Sequence, residues 1–458
     1  MTRQFLRLEW RLLVRDHAVW VVAAVVAVSL ASGFASGARW RQFLVTAQQE
    51  VAQEEAERYK ALADRIAAYQ PGGRGADPRQ PSAIGGRGGS RYAHLPVLPL
   101  AGLSVGQSDL LPAAVRVSTD GREQVLSTAE IENPHRLLEG RFDVTFVILY
   151  LLPLLILALT YNVLAGERER RSLPLLASQS TPLATVLSAR IGLRAVVIAG
   201  TTLAIGLAGM LATDVTLTDG NTLARLVVWT LAVGCYSAFW FAVALAVGSR
   251  GQGAATTALS AAGVWLVLAV VVPAALSFAV NTFYPMPSRV QMVQAMREAS
   301  DEASSRGSVL LAQYFEEHPE LLPDGEQYVA DAAATRAAVA EEVQRLTRPV
   351  AETFDTQAAR QRAAADRLRY LSPTLLVRDV LDDVSGTGAA RYATFTEQVS
   401  EFHARWRAHF TALTVARRPV GQLADVPSFT FADESAGDVA RRAAPVFLTL
   451  VVAIALLG

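Results

Sequence analysis

Cysteine is almost missing from this chain: Cys235 is the only one in 458 residues, and it lies within an apolar run. No internal disulfide and no cysteine-based metal site can form, so any part standing outside a membrane is held by helix packing alone. Lysine is equally scarce, with Lys60 alone among arginines; that matches a high-GC coding bias and carries no mechanism. Net charge is absent as well, 42 Lys and Arg balancing 42 Asp and Glu, which leaves no basic field to draw in nucleic acid. Charged residues in total reach only 18% while apolar residues reach 52%, against about one quarter charged in ordinary soluble domains. The phosphate-binding pattern GxxxxGK[ST] and the GxSxG and HExxH patterns do not occur, so no enzyme activity, ATP site or cofactor is expected in this chain. Its six histidines are scattered. His403 and His409 fall six apart, on different faces of a helix, and Glu316-Glu317-His318 reads as a helix surface; no metal site is expected.

What the chain does have is long apolar runs. A helix needs about 20 mostly apolar residues to span a hydrocarbon core. Six runs meet or approach that length, at 18–36, 144–165, 195–212, 226–247, 254–280 and 443–458, and none contains Asp, Glu, Lys, Arg or His. The last has about 16 residues before Gly458, so the native chain is expected to continue or this copy to be cut short. The first is longer than a signal-peptide core and follows a long leader, which favours an uncleaved helix over a cleaved signal. The expected fold class is an all-α integral membrane protein with six transmembrane helices and two large, mainly helical extracytoplasmic insertions. Its parts are a leader helix over 1–16, spans over 17–36, 143–165, 194–213, 225–248, 254–280 and 443–458, insertions over 37–142 and 281–442, and a cytoplasmic loop over 166–193.

Arginine placement orients these spans, because Lys and Arg near helix ends stay cytoplasmic. Arg3, Arg7, Arg11 and Arg15 precede the first; Arg168, Arg170, Arg171, Arg190 and Arg194 flank the loop between the second and third; Arg250 lies between the fourth and fifth. The opposite loop, 214–221, is acidic and polar. The N-terminus is therefore expected in the cytoplasm. The leader, with its arginines four apart and Phe5, Leu6, Leu8, Trp10, Leu12 and Leu13 on other faces, reads either as a basic amphipathic helix lying in the inner interface or as a plain positive flank.

Within the first insertion, Val45, Ala52, Tyr59 and Ile66 recur every seven residues, with Leu62 and Tyr69 beside them. That stripe predicts a helix over 42–69 packed on a partner helix. A Gly/Pro/Arg-rich stretch, 71–90, reads as a loop, and Val115 and Val117 alternate before Asp120-Gly121, a hairpin-turn pair. In the second insertion Val329, Ala332, Val339, Val343, Leu346 and Val350 trace helical spacing, and Pro349 within this array is expected to break or kink the helix. A further helix over 390–413 carries Tyr392, Phe395, Phe402, Trp406 and Phe410 at spacings that put them on one face; such a stripe reads as packing before it reads as a ligand cage.

The absence of charge from the spans narrows the function. Carriers driven by protons or sodium keep ionisable groups at mid-membrane to bind the coupling ion, and each costs about 2.5–3.5 kcal/mol to insert. If this protein moves anything, its energy enters from outside the bilayer. The loop after the second span is the place: Gly166-Glu-Arg-Glu-Arg-Arg-Ser-Leu-Pro-Leu-Leu-Ala-Ser-Gln-Ser-Thr-Pro182 puts a charged run before short amphipathic turns. It fits a short cytoplasmic helix resting on a soluble partner, or an interfacial helix with a positive flank.

At Glu167-Arg168-Glu169, Leu173 to Ala177 and Thr181-Pro182 the chain resembles the permease subunits of the type-two ABC exporter superfamily. Arg171-Ser172 replaces the glycine usual there. A narrower branch, with two large outside insertions and grouped as a domain of unknown function, is similar over nearly the whole chain. Its features stand here as Asn133-Pro134, Gly140-Arg141-Phe142-Asp143, Leu151-Leu152-Pro153-Leu154-Leu155, Tyr284-Pro285-Met286-Pro287-Ser288-Arg289 and Leu371-Ser372-Pro373, ending near Phe395 and Trp406. The resemblance implies a multi-pass permease of a bacterial inner membrane, pairing with a second copy or a sister permease. It also implies a separate ABC ATPase subunit that supplies ATP and Mg. The coupling contact would be Glu167, Arg168, Glu169, Arg170, Arg171, Leu173, Leu175 and Leu176, the glutamates meeting basic groups and the leucines filling a groove of the ATPase. Pro153 and Pro273, each missing a helix hydrogen bond, read as static kinks or as hinges for the moving spans. A different class stays open: a mechanical transducer that uses ATP-driven motion to work its outer domains on a periplasmic protein without moving a substrate.

Overall fold

The computed structural model describes residues 2–70, 77–119, 142–169, 183–212, 219–250, 252–286, 289–307, 309, 332–415 and 418–457. Helix α1 (Thr2–Arg15) stops one residue before α2 (His17–Ala68). Asp16 sits between them in an extended conformation, and its carboxylate accepts the Ala18 N–H at 3.0 Å, so an N-cap starts the second helix afresh. Among the described residues six helices are long and apolar enough to cross a membrane. They are α2; α3 (Val144–Glu169); the Ala189–Gly206 part of α4 (Leu183–Ala212); α5 (Gly220–Gly248); α6 (Ala254–Phe283); and a last helix, Ala436–Leu457. The 52 residues of α2 extend on the order of 80 Å, well beyond a core of about 30 Å. The apolar run and the charged stripe are therefore one continuous rod.

Between α6 and the last helix lie α7 (Arg289–Ser305), α8 (Ala332–Leu368), α9 (Pro373–Ser385) and α10 (Ala389–Val415), which makes the last helix α11. Helix α11 begins at Ala436 and takes in Asp438, Arg441 and Arg442, so it is longer than its apolar run. Helix α5 lies at the centre of the bundle against α3, α9 and α11, with Trp229, Tyr236 and Trp240 fully buried. For the described residues we call the end of the bundle at Asp143, Asp219 and Phe283 the domain end, and the end at Glu169, Gly248 and Ala254 the loop end.

One compact domain stands at the domain end, and both insertions contribute to it. Of the predicted α10 stripe, Phe395, Phe402, Trp406 and Phe410 are buried with Leu62 of α2, Ile84, Val115 and Val117, and Tyr392 is half-buried at the edge of the same cluster. Trp406 Nε1 donates to Gly85 O at 2.9 Å, and a Cβ on Gly85 would stand 2.6 Å from the Phe410 ring. The sheet is a single antiparallel pair among the described residues, β1 (Arg91–His94) with β2 (Ala114–Val117), Arg91 opposite Val117. Val115 and Val117 do alternate, but their partner lies upstream; Asp120-Gly121 falls outside the described residues. The α2 face packs on helix α10 through Leu62 and Ile66, and it also meets this strand. Glu55 binds Arg91 at 2.7 Å and the Tyr92 N–H at 2.7 Å, Tyr59 donates to Gly89 O at 2.6 Å, and Ala52 is exposed. Polar hydrogen bonds, which a seven-residue apolar count does not register, set this second contact.

Pro349 does not break its helix: α8 runs through it from Ala332 to Leu368. An interior proline costs ~3 kcal/mol. Packing of α8 on α7 about Ala303 and Ala338 works against that cost, while the exposed Arg345–Glu342 and Arg348–Glu352 pairs add only about 0–1 kcal/mol each. Helix α8 comes back alongside α6, with Gln361 donating to Asn281 Oδ1 and Tyr284 O at 3.2 and 3.0 Å. A single turn, Arg369–Leu371, then reverses the chain into α9. Ser372 caps α9 through the Leu375 N–H, Pro373 opens it, and Gly386 at φ +75° ends it, the residue types each place favours. This helix packs on α5 and α11, with Thr374 reaching Tyr236 and Leu268. Part of the second insertion thus lies among the span helices and not wholly beyond them.

Candidate functional site

At the loop end, Glu167, Arg168 and Glu169 are the last described residues of α3, and each is engaged by a different element. Glu167 accepts from Arg190 of α4 at 2.8 Å, and the same guanidinium donates to Glu9 of the leader at 2.9 Å. All three side chains are less than one-fifth exposed. Arg168 donates to the carbonyls of Gly248 and Ser249 at 2.9 and 3.3 Å, placing a cation on the negative end of the α5 dipole. Glu169 accepts the Ala254 N–H at 2.7 Å, placing an anion on the positive end of α6. Three consecutive residues thus tie together the ends of α3, α4, α5 and α6 and the leader. Arg170, Arg171, Leu173, Leu175 and Leu176 lie outside the described residues. Glu9 and Arg190, the partners in this cluster, were not singled out by the sequence: Arg190 had been counted as part of a positive flank.

The two prolines within the spans share a construction. A five-residue π-turn, Val147–Leu151, precedes Pro153, and another, Val267–Val271, precedes Pro273. In both the residue before proline bonds five back, Leu152 N–H to Val147 O and Val272 N–H to Val267 O. Leu149 loses its helical donor because Pro153 has no N–H, and Leu268 loses its own because Val272 is used elsewhere. Side chains supply the missing donors: Tyr236 OH donates to Leu149 O at 2.9 Å and Thr374 Oγ1 to Leu268 O at 3.5 Å. Trp265 Nε1 adds a bond from α6 to Tyr150 O at 3.2 Å.

At the domain end a buried ionic network joins the spans to the domain. Arg225, 2% exposed, donates from the start of α5 to Asp383 O, Val384 O and Glu434 O at 3.1, 3.5 and 3.0 Å. Arg442 of α11 bridges Asp383 and Glu434 at 3.0 and 2.6 Å, and Arg391 grips Asp433 with two bonds at 2.9 and 2.7 Å. Burial raises the Asp383 and Glu434 carboxyls above their ordinary range against the pull of Arg442. Beside them Asp382 accepts from Ser104 at 2.5 Å, and burial pushes it up to about 7, only partly countered by Ser104 and Arg378. Asp143, also raised by burial, accepts the Val105 and Phe146 N–H groups at 2.8 and 2.7 Å. Residues 103–107 of the first insertion are clasped between the start of α3 and the end of α9.

Among the described residues no group of three or more His, Cys, Asp or Glu is placed to hold a metal ion. A family model described as a domain of unknown function (DUF3526) matches residues 289–432, under a third of the chain, covering α7 to α10. No curated protein matches the chain, and no solved structure does.

Proposed function

We propose that this chain is the permease subunit of an ABC transporter, an exporter, that pairs with a second permease and is driven by a separate ATPase docking on the loop between α3 and α4. The observation that carries this reading is the position of Glu167-Arg168-Glu169. A force applied just after Glu169 reaches the leader and four span ends directly, through bonds of 2.7–3.3 Å. In this reading Glu167, Arg168 and Glu169 transmit the motion within the chain, and Leu173, Leu175 and Leu176 meet the ATPase. ATP and Mg belong to the partner, the N-terminus and this loop face the cytoplasm of a bacterial inner membrane, and the compact domain faces the periplasm. A photo-crosslinking residue placed at Leu175 in native membranes tests it. The expected product joins the permease to a nucleotide-binding subunit, and a crosslink only to lipid would overturn the docking assignment.

One observation favours a second reading, a mechanical transducer acting on a periplasmic partner without moving a substrate. Helix α5 runs unbroken from the Arg168 contact at Gly248 to Arg225 in the domain network, so displacement at the loop end is carried straight into the domain.

A further inference from the structure

The donors that cap the two proline bends touch each other. Tyr236 OH lies 3.2 Å from Thr374 Oγ1, so a continuous line runs from Leu149 O through Tyr236 and Thr374 to Leu268 O. Tyr236 and Thr374 are 0% and 1% exposed, which keeps bulk water from both hydroxyls. Each hydroxyl carries one proton. Tyr236 commits its proton to Leu149 O at 2.9 Å. Thr374 then has one proton and two acceptors, the Tyr236 oxygen at 3.2 Å and Leu268 O at 3.5 Å. The Trp240 ring stands edge-on to Tyr236 with centroids 6.1 Å apart, and its indole N–H acts on the phenol oxygen as a second donor beside Thr374.

We propose that Tyr236 and Thr374 are positioning residues that couple the bends of α3 and α6, Thr374 on α9 choosing between holding Tyr236 and holding the freed carbonyl of Leu268. The choice is discrete because the proton cannot serve both acceptors well. With the proton on Tyr236, α9 is tied to α3 and α5 and the α6 bend is uncapped. With the proton on Leu268, α9 is tied to α6 and its bend is held. Because α9 ends in the Arg225 network, tilting this helix against the domain selects the state of the α6 bend. The inference concerns this chain alone and stands whether or not an ATPase docks on the loop.

Spin labels at Leu259→Cys and Phe283→Cys, both widely exposed and on either side of the α6 bend, test it in a Cys235→Ala background in nanodiscs. The distance between them reports the bend. Thr374→Val removes the contested proton and should shift the ratio of bent to relaxed populations about fivefold toward relaxed, the effect of one net hydrogen bond. Thr374→Ser keeps the hydroxyl and should match the parent. Tyr236→Phe removes the competing acceptor, leaves the Thr374 proton wholly to Leu268, and should shift α6 the opposite way, toward bent. A parent-like Thr374→Val, a Thr374→Ser that behaves as Thr374→Val, or a Tyr236→Phe that moves α6 in the same direction as Thr374→Val would each overturn the coupling.

Discussion

Replacing Arg225 with methionine keeps most of the aliphatic bulk and deletes the guanidinium, and the cost follows from what it leaves behind. Three carbonyls, on Asp383, Val384 and Glu434, lose their donor, and the Glu434 carboxylate loses a cation at 3.8 Å. Removing one partner of a buried ion pair costs roughly 3–5 kcal/mol. Glu434 retains Arg442 at 2.6 Å, so the low end, about 3 kcal/mol, is expected. The deficit should depend on pH. Burial already raises the Glu434 carboxyl, and loss of Arg225 raises it further, so the variant binds a proton there more readily than the parent. Its deficit is then largest at alkaline pH and shrinks as pH falls through the folded-state value. Unfolding in mixed micelles, followed by tryptophan fluorescence at acidic and alkaline pH, measures both quantities, and Arg225→Met with Glu434→Gln should recover part of the loss. A deficit under about 1 kcal/mol, or one independent of pH, would show that the network does not hold α5 to the domain.

Further outcomes follow from single sites. Asp382 is raised from 3.8 to about 7, so its contribution is fully present below pH 3.8, declines as pH rises through that window and is gone above about 7. The decline is at most about 4 kcal/mol at 1.36 per unit. Asp382→Asn should flatten this fall and be no less stable than the parent at pH 8; an unchanged pH slope by thermal unfolding would remove Asp382 as its source. Gly386→Ala forces a Cβ into φ +75° and against Leu98, costing about 2–3 kcal/mol in the same unfolding assay. Trp406→Ala empties the centre of the domain core and loses the bond to Gly85, which should cost about 3–5 kcal/mol and expose the β1–β2 pair to hydrogen exchange.

The sequence made the spans legible because an apolar run of this length has few other uses, and the α10 aromatics were legible because helical spacing alone puts them on one face. What escaped was polar and non-local. Glu9 and Arg190 are 181 positions apart, and nothing in either neighbourhood marks them as partners. Arg225 stands at the edge of an apolar run, where an arginine reads as a flank; that its targets are carbonyls at the end of α9 follows only from packing. Pro153 and Pro273 were visible as breaks in the ladder, but their π-turns and the shared capping line depend on Thr374, more than 100 residues from Leu268. The α2 face meets a helix, as its spacing implied, through Leu62 and Ile66 against the α10 aromatics; its second contact, through Glu55 and Tyr59 to β1 and Gly89, is polar and is not registered by a seven-residue apolar count.

The reading of the chain as a permease driven from its loop end is tested most directly by isolating the tagged protein in mild detergent and measuring ATP hydrolysis. The account predicts a co-purifying ABC ATPase, with turnover that falls to background when Leu175→Asp and Leu176→Asp are introduced while the permease stays folded. A stable permease that binds no ATPase in any lipid or nucleotide condition would contradict it.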